Sequence, residues 1–172
     1  IENNLAACTA LKANAQKLDA TNVHMVQSDT LAYLAKTPPN QFDVIFIDGL
    51  HTYEQVRRDV INALQCINQG GWIALHDMLP RNWIEHHVPI VAKGAWTGDV
   101  WKVAFELIET KDIEFKIIKI DHGVGVIKVL NTKATLKNLK DDLLDKEFSY
   151  YYENLYKLPI TDWEKAQSWL RS

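Results

Sequence analysis

The stretch FDVIFIDGLHTYEQVRRDV, residues 42–60, sets a carboxylate and an imidazole three residues apart, Asp48 and His51, just past the apolar run Phe42, Val44, Ile45, Phe46 and Ile47. Imidazole exchanges its proton near neutral pH, and a carboxylate accepts hydrogen bonds from several directions, so the pair suits proton transfer or ligand capture. Two further apolar segments close the same way. NVHMVQ runs into Ser28 and Asp29, and WIAL runs into His76 and Asp77. In an open α/β sheet, ligands bind outside the carboxyl ends of the strands, so three such ends are expected to converge on one crevice. Each acid alone also reads as a helix cap or a turn residue. Three together favour a shared site.

The elements that must position these groups follow from periodicity. NNLAACTALKANAQKL reads as a helix over 3–18, with Asn3 or Asn4 as its cap. NVHMVQSD reads as a short strand, residues 30–36 as a short helix that TPPNQ breaks, and 42–47 as a buried strand. A helix from Tyr53 to Ile67 buries Val56, Val60, Leu64 and Ile67, and QGG is expected to stop it at Gly70 and Gly71. WIALHD is again a buried strand, 79–96 a long loop, and GDVWKVAFELIE a helix. IEFKIIKI and GVIKVL form a hairpin turning through Asp121–Val124, and a helical, aromatic tail begins near Ala134. Helix and strand alternating through residue 77 imply a parallel sheet flanked by helices, with the hairpin adding an antiparallel pair at one edge.

The 172 residues, 47% hydrophobic and 24% charged, are enough for one sizeable core. A net charge of -3 and a pI near 6.1 argue against a nucleic-acid partner. No apolar run approaches the ~20 residues that cross a bilayer, and no signal peptide opens the chain, so no membrane partner is expected. Cys8 and Cys66 lack metal spacing and fit a reduced, cytoplasmic compartment. The chain starts with Ile1, mid-element, and the numbering is expected to begin inside a longer natural protein.

FDVIFIDGLHTYEQVRRDV followed by GGWIALHD resembles the class I S-adenosylmethionine-dependent methyltransferases, most closely the subgroup with Asp-Gly-x-His after its fourth strand, which includes macrolide-sugar O-methyltransferases. WTGDVWKVAFEL and DHGVGVI add to the resemblance, which covers roughly residues 1–130 as a Rossmann-like α/β domain, with 131–172 a C-terminal helical extension. The resemblance implies S-adenosylmethionine as cofactor. It places Glu2 on the ribose hydroxyls, Ser28 and Asp29 at the adenine, and Asp48 with Gly49 near the sulfonium. It makes His51 the general base, and gives Asp48, His76 and Asp77 to a divalent ion. The implied activity is O-methylation of a small-molecule or sugar hydroxyl, whose proton must leave before it attacks.

Two departures stand out. The glycine-rich loop after the first strand has no counterpart, since Gly123–Gly125 lies between two late strands. His76 stands where the metal-dependent relatives carry a carboxylate, and imidazole suits zinc, iron, nickel or copper better than magnesium. His76 is therefore open to other readings: a second proton acceptor, a substrate contact, or a structural histidine. His86 and His87 are expected on an exposed loop or lid, Asp99 at its own helix's N-terminus, and Trp96 and Trp101 in the core, with Trp96 facing substrate as the alternative. KDDLLDKEF reads as a solvated helix face. The aromatic tail is expected to pack on its own domain, a homo-oligomer contact being the alternative. Two other functions compete: a degenerate methyltransferase-like interaction module, and a metal-dependent enzyme of other chemistry on the same sheet.

Overall fold

Asn4 starts the first helix by turning its side chain onto exposed amides. Its Oδ1 accepts from the N–H of Ala6 at 2.9 Å and of Ala7 at 3.1 Å, which caps α1 (Leu5–Lys17). The computed structural model describes residues 1–2 and 4–171; the other cap candidate, Asn3, lies outside the described residues. Two compact units make up the chain, the first Ile1–Pro38 and the second from Pro39 onward.

In the first unit the strand expected at 22–29 shrinks to a single parallel bridge, Glu2 with Gln27. Its two hydrogen bonds are Glu2 N–H to Val26 O at 3.0 Å and Ser28 N–H to Glu2 O at 3.2 Å. The short helix α2 (Thr30–Leu34) follows.

The second unit is built on one sheet. β1 (Phe42–Ile47) leads through α3 (Tyr53–Cys66) to β2 (Ile67–Leu75), which lies parallel to β1. After α4 (Trp83–His86) and α5 (Lys102–Leu107), β3 (Ile113–Ile118) and β4 (Val124–Val129) form the expected antiparallel hairpin. The tail gives α6 (Lys140–Leu143), α7 (Phe148–Asn154), β5 (Ile160–Thr161) and α8 (Trp163–Leu170). The strand order is β1-β2-β4-β3-β5. This is the Rossmann-like α/β arrangement, in mixed form.

The face foreseen for α3 is the face it buries. Val56, Val60 and Leu64 enter the main core with Ile73, Leu75, Trp101 and Ile127. Burial of each such aliphatic side chain contributes about 1.5–3 kcal/mol, far more than helix propensity supplies. QGG does not stop this helix. Cys66 is its last residue, Ile67 leaves it already extended at φ -78 and ψ 147, and both glycines sit in β2. There the ladder is irregular: Phe42 pairs with Ile67, yet Val44 pairs with Trp72. Gly70 takes φ +78, and a Cβ on Gly71 would press the carbonyls of Asn68 and Asp43 at 2.9 and 3.0 Å. The glycines make a bulge instead of a cap.

The tail packs largely on the unit that carries it. Tyr151 and Leu158 join the main core, and Trp169 of α8 meets Trp72 edge-on, centroids 5.2 Å apart. KDDLLDKEF is only partly a solvated face, because Leu143 is buried.

Buried charges tie the helices together. Glu106 is fully buried; its Oε1 accepts from Arg57 Nε at 2.9 Å and from the Leu139 N–H at 2.9 Å. Glu85, also buried, accepts from the Arg81 backbone and from Arg81 Nε, both at 2.9 Å. Burial alone would raise the pKa of Glu85. The Arg81 hydrogen bonds, with the charges of Arg81 and His122, outweigh that and hold it below its ordinary 4.5. A depressed folded-state pKa gives stability that is complete above 4.5 and fades as pH falls through the lower folded value. Thermal melts of the parent and of Glu85→Gln are therefore expected to differ at pH 6–7 and to converge as pH falls below that lowered folded value. A gap independent of pH would show that the carboxylate's charge plays no part.

Candidate active site

The ends of β1 and β2 lie side by side, because the ladder continues past both strands through His76 N–H to Ile47 O at 3.1 Å. Asp48 and the His76–Asp77 pair therefore leave the sheet together. β4 carries the other flank. Its pairing of Leu75 with Gly125 brings the hairpin turn alongside, fastened by Met78 N–H to Gly123 O at 3.0 Å and Leu79 N–H to His122 O at 2.7 Å. Gly123, at φ +85, has no room for a Cβ against Leu79. The Gly123–Gly125 motif is thus a close-approach device. The turn delivers Asp121, which the sequence reading placed only in a hairpin, to His76.

Asp77 is buried and takes φ +61, a left-handed conformation that Asp tolerates better than most residues. Its Oδ2 lies 3.1 Å from His51 Nε2 and 3.1 Å from His76 Nδ1. Asp48 Oδ1 lies 3.5 Å from each of those nitrogens. His76 Nε2 is 3.0 Å from Asp121 Oδ2, so both of its ring nitrogens face acids. Burial draws the His76 pKa down, but the hydrogen bond to Asp121 and the charges of Asp77, Asp48 and Asp121 more than offset that and hold it above the ordinary 6.5.

His51 is oriented from behind. Its Nδ1 is 2.7 Å from the carbonyl of Trp96, and the Trp96 ring stacks on it at 5.3 Å. A carbonyl only accepts, so Nδ1 carries a hydrogen, and Nε2 is the nitrogen that faces the carboxylates of Asp77 and Asp48. Trp96 therefore touches His51 by its carbonyl and its ring. The loop approaches so closely that a Cβ on Gly98, at φ +58, would overlap the His51 carbonyl. Asp99 does more than serve its own helix. Its Oδ1 accepts from the Tyr53 N–H at 2.6 Å, capping α3 from 46 positions away. Its Oδ2 pairs with Lys102 at 3.0 Å.

The structure brings together Asp48, His51, His76 and Asp77. Glu2, Ser28 and Asp29 belong to the first unit, where each has local work. Glu2 Oε1 accepts from Asn4 N–H at 2.8 Å, Ser28 Oγ donates to the Asp29 carbonyl at 3.0 Å, and Asp29 Oδ1 accepts from Ala32 N–H at 3.2 Å at the start of α2. Gly49 is exposed, and an added Cβ would meet only Asp59 at an ordinary 3.9 Å. His86 is buried, contrary to the lid expectation: Trp101 Nε1 donates to its Nδ1 at 2.9 Å. Trp96, Asp121 and Asp99 act through contacts across tens of residues, a signal no local pattern carries. Only the hairpin placement of Asp121 hinted at its position.

Asp48, His51 and Asp77 each offer one ligand atom, all within 4.8 Å of one another. Such a mixed acid–imidazole set at adjoining strand ends is what a family assignment must account for. Residues 3–78 match the family model described as a methyltransferase domain. The matched segment contains Asp48, His51, His76 and Asp77, and the match supports a methyltransferase. A protein of Acanthamoeba polyphaga mimivirus, described as uncharacterized, is 30% identical over 89 residues, covering 48% of this chain and 40% of its own. A crystal structure of a Corynebacterium glutamicum protein, solved as a structural-genomics target, superposes with a TM-score of 0.59 at 16% identity, over 76% of this chain and 59% of that one. It is a likeness of fold. The chain thus spans less than two thirds of each of these two proteins. No helix among the described residues is long and apolar enough to cross a membrane.

Proposed function

We propose that this chain carries the acceptor side of an S-adenosylmethionine-dependent methyltransferase acting on a hydroxyl of a small molecule, with His51 as general base. The observation that supports this most is the aimed imidazole of His51, held from behind by the Trp96 carbonyl with its Nε2 at 3.1 Å from Asp77. Glu2 and Asp29 are of the types that suit the cofactor's ribose hydroxyls and adenine amine, since a carboxylate accepts from such donors. When bound, that cofactor supplies an electrophilic methyl on a sulfonium. His51 Nε2 takes the hydroxyl proton, and Asp77 and Asp48 stabilise the resulting imidazolium. Trp96 fixes the ring so that little reorientation accompanies the transfer.

A second reading is favoured by the spacing of Asp48, His51 and Asp77, within 4.8 Å of one another. These three fit a divalent ion with mixed nitrogen and oxygen ligands, and the Trp96 carbonyl gives His51 the outer-sphere hydrogen bond that ligating histidines usually make. Such an ion would lower the pKa of the acceptor hydroxyl. His76 from the expected set lies equally near Asp77, but Asp121 and Asp77 engage both of its nitrogens.

Calorimetric titration decides between these. S-adenosylmethionine is expected to bind with one-to-one stoichiometry, and its failure to bind would overturn the methyltransferase. Zinc or manganese binding that is lost in both His51→Ala and Asp77→Asn would replace the base by the metal reading. A stable oligomer without cofactor affinity would point to an interaction module.

A further inference from the structure

A cleft of about 700 Å³ lies between α4 and α7, lined by Trp83, His87, Glu147, Phe148, Ser149 and Tyr152. Trp83 is 49% exposed and Tyr152 71%, so neither ring is needed by the core. Trp83 leans on His87 with centroids 4.8 Å apart, while Phe148 and Tyr152 lie within 30° of parallel at 6.5 Å. Among these described lining residues the one permanent charge is the Glu147 carboxylate.

That carboxylate is held by a buried relay. The Trp101 indole N–H donates to His86 Nδ1 at 2.9 Å, and an indole nitrogen can only donate, so His86 carries its hydrogen on Nε2. Nε2 lies 3.1 Å from Glu147 Oε2 and donates to it. Trp101 and His86 are both buried. Two buried polar groups thus aim one surface carboxylate at a cleft walled by rings. The cleft is also tied to the candidate base, because the Trp96 indole donates to the His87 carbonyl at 2.8 Å while its ring stacks on His51.

Aromatic faces attract cations, and alkylated ammonium groups gain most because their methyls also bury against the rings. A neutral aromatic guest would bring the carboxylate no counter-charge, and an anion would be repelled by it. We propose that this cleft binds a methylated ammonium group, its charge toward Glu147 and its methyls against Trp83, Phe148 and Tyr152. The group's membership of the methyl acceptor, whose reacting hydroxyl it would orient, rests on the methyltransferase reading; the binding itself does not.

Choline and its uncharged tert-butyl isostere separate charge recognition from greasiness. Titration followed by nuclear magnetic resonance of the indole N–H groups is expected to show saturable shifts at Trp83 with choline. The isostere is expected to bind at least ~tenfold more weakly. Trp83→Ala should weaken choline ~tenfold or more, and Glu147→Gln several-fold, with the Trp101 indole signal confirming that each variant is folded. Absence of choline binding, equal binding of the isostere, or unchanged binding in both variants would overturn the site. No cofactor enters the measurement. Choline binding without S-adenosylmethionine binding would overturn the methyltransferase alone, and the converse would overturn the ammonium site alone.

Discussion

On the proposed methyltransferase reading, His51→Ala is expected to lower methyl transfer by about two orders of magnitude or more, the usual effect of losing a general base. The imidazole is aimed by a second residue, through Nδ1–H to the Trp96 carbonyl at 2.7 Å. Its Nε2 faces Asp77 at 3.1 Å and Asp48 at 3.5 Å. Alanine removes the proton acceptor and leaves both acids unscreened. Release of demethylated cofactor, measured at saturating S-adenosylmethionine over a range of pH, is the readout. The fall should be smaller at high pH, where hydroxide competes for the acceptor proton. A rate within twofold of the parent would take His51 out of the reaction.

Arg57→Ala is expected to destabilise the fold by about 3–5 kcal/mol, the range for removing one partner of a buried ion pair. Glu106 has no solvent exposure and receives Arg57 Nε on both carboxylate oxygens, at 2.9 and 3.0 Å. Arg57 also donates to Asn138 Oδ1 at 2.8 Å, so one guanidinium joins α3, α5 and the segment before α6. Without it Glu106 keeps the Leu139 N–H as a donor, with the Tyr53 hydroxyl beside it, too little for a buried charge. Urea denaturation of both proteins gives the difference. Arg57→Ala with Glu106→Leu should recover much of the loss, because the uncompensated charge is the cause. A loss under about 1 kcal/mol in the single variant would mean that water reaches Glu106.

Much of the framework was legible because it is written in local periodicity. β1 matches its expected span, α1 and α3 differ from theirs by a residue or two at their ends, and the hairpin turns where Asp121 and Gly123 announce it. The convergence of Asp48 with Asp77 was also legible, since parallel neighbours end on the same side. What escaped depends on contacts between distant segments. Asp99 looked like a local cap because acid before a helix usually is one; here its partner is Tyr53. His86 looked like a loop residue because nothing in EHHVP forecasts a buried indole donor from Trp101. Gly70 and Gly71 looked like a helix stop because a glycine bulge and a glycine cap share the same letters. The strand expected at 22–29 keeps a single bridge, as Val23 stays exposed and gives the segment little to bury.

The bulge in β2 decides where this protein can change length. Four positions, Asn68 to Gly71, sit between the paired Phe42–Ile67 and Val44–Trp72 steps, outside the regular ladder. A residue gained or lost there during descent would be absorbed as slack, and the acids and imidazoles would keep their places. The same event anywhere from Trp72 to Leu75 would turn His76 to the opposite side of the sheet. Natural variants should therefore differ in length just upstream of Trp72 and nowhere within the six residues that end in Asp77.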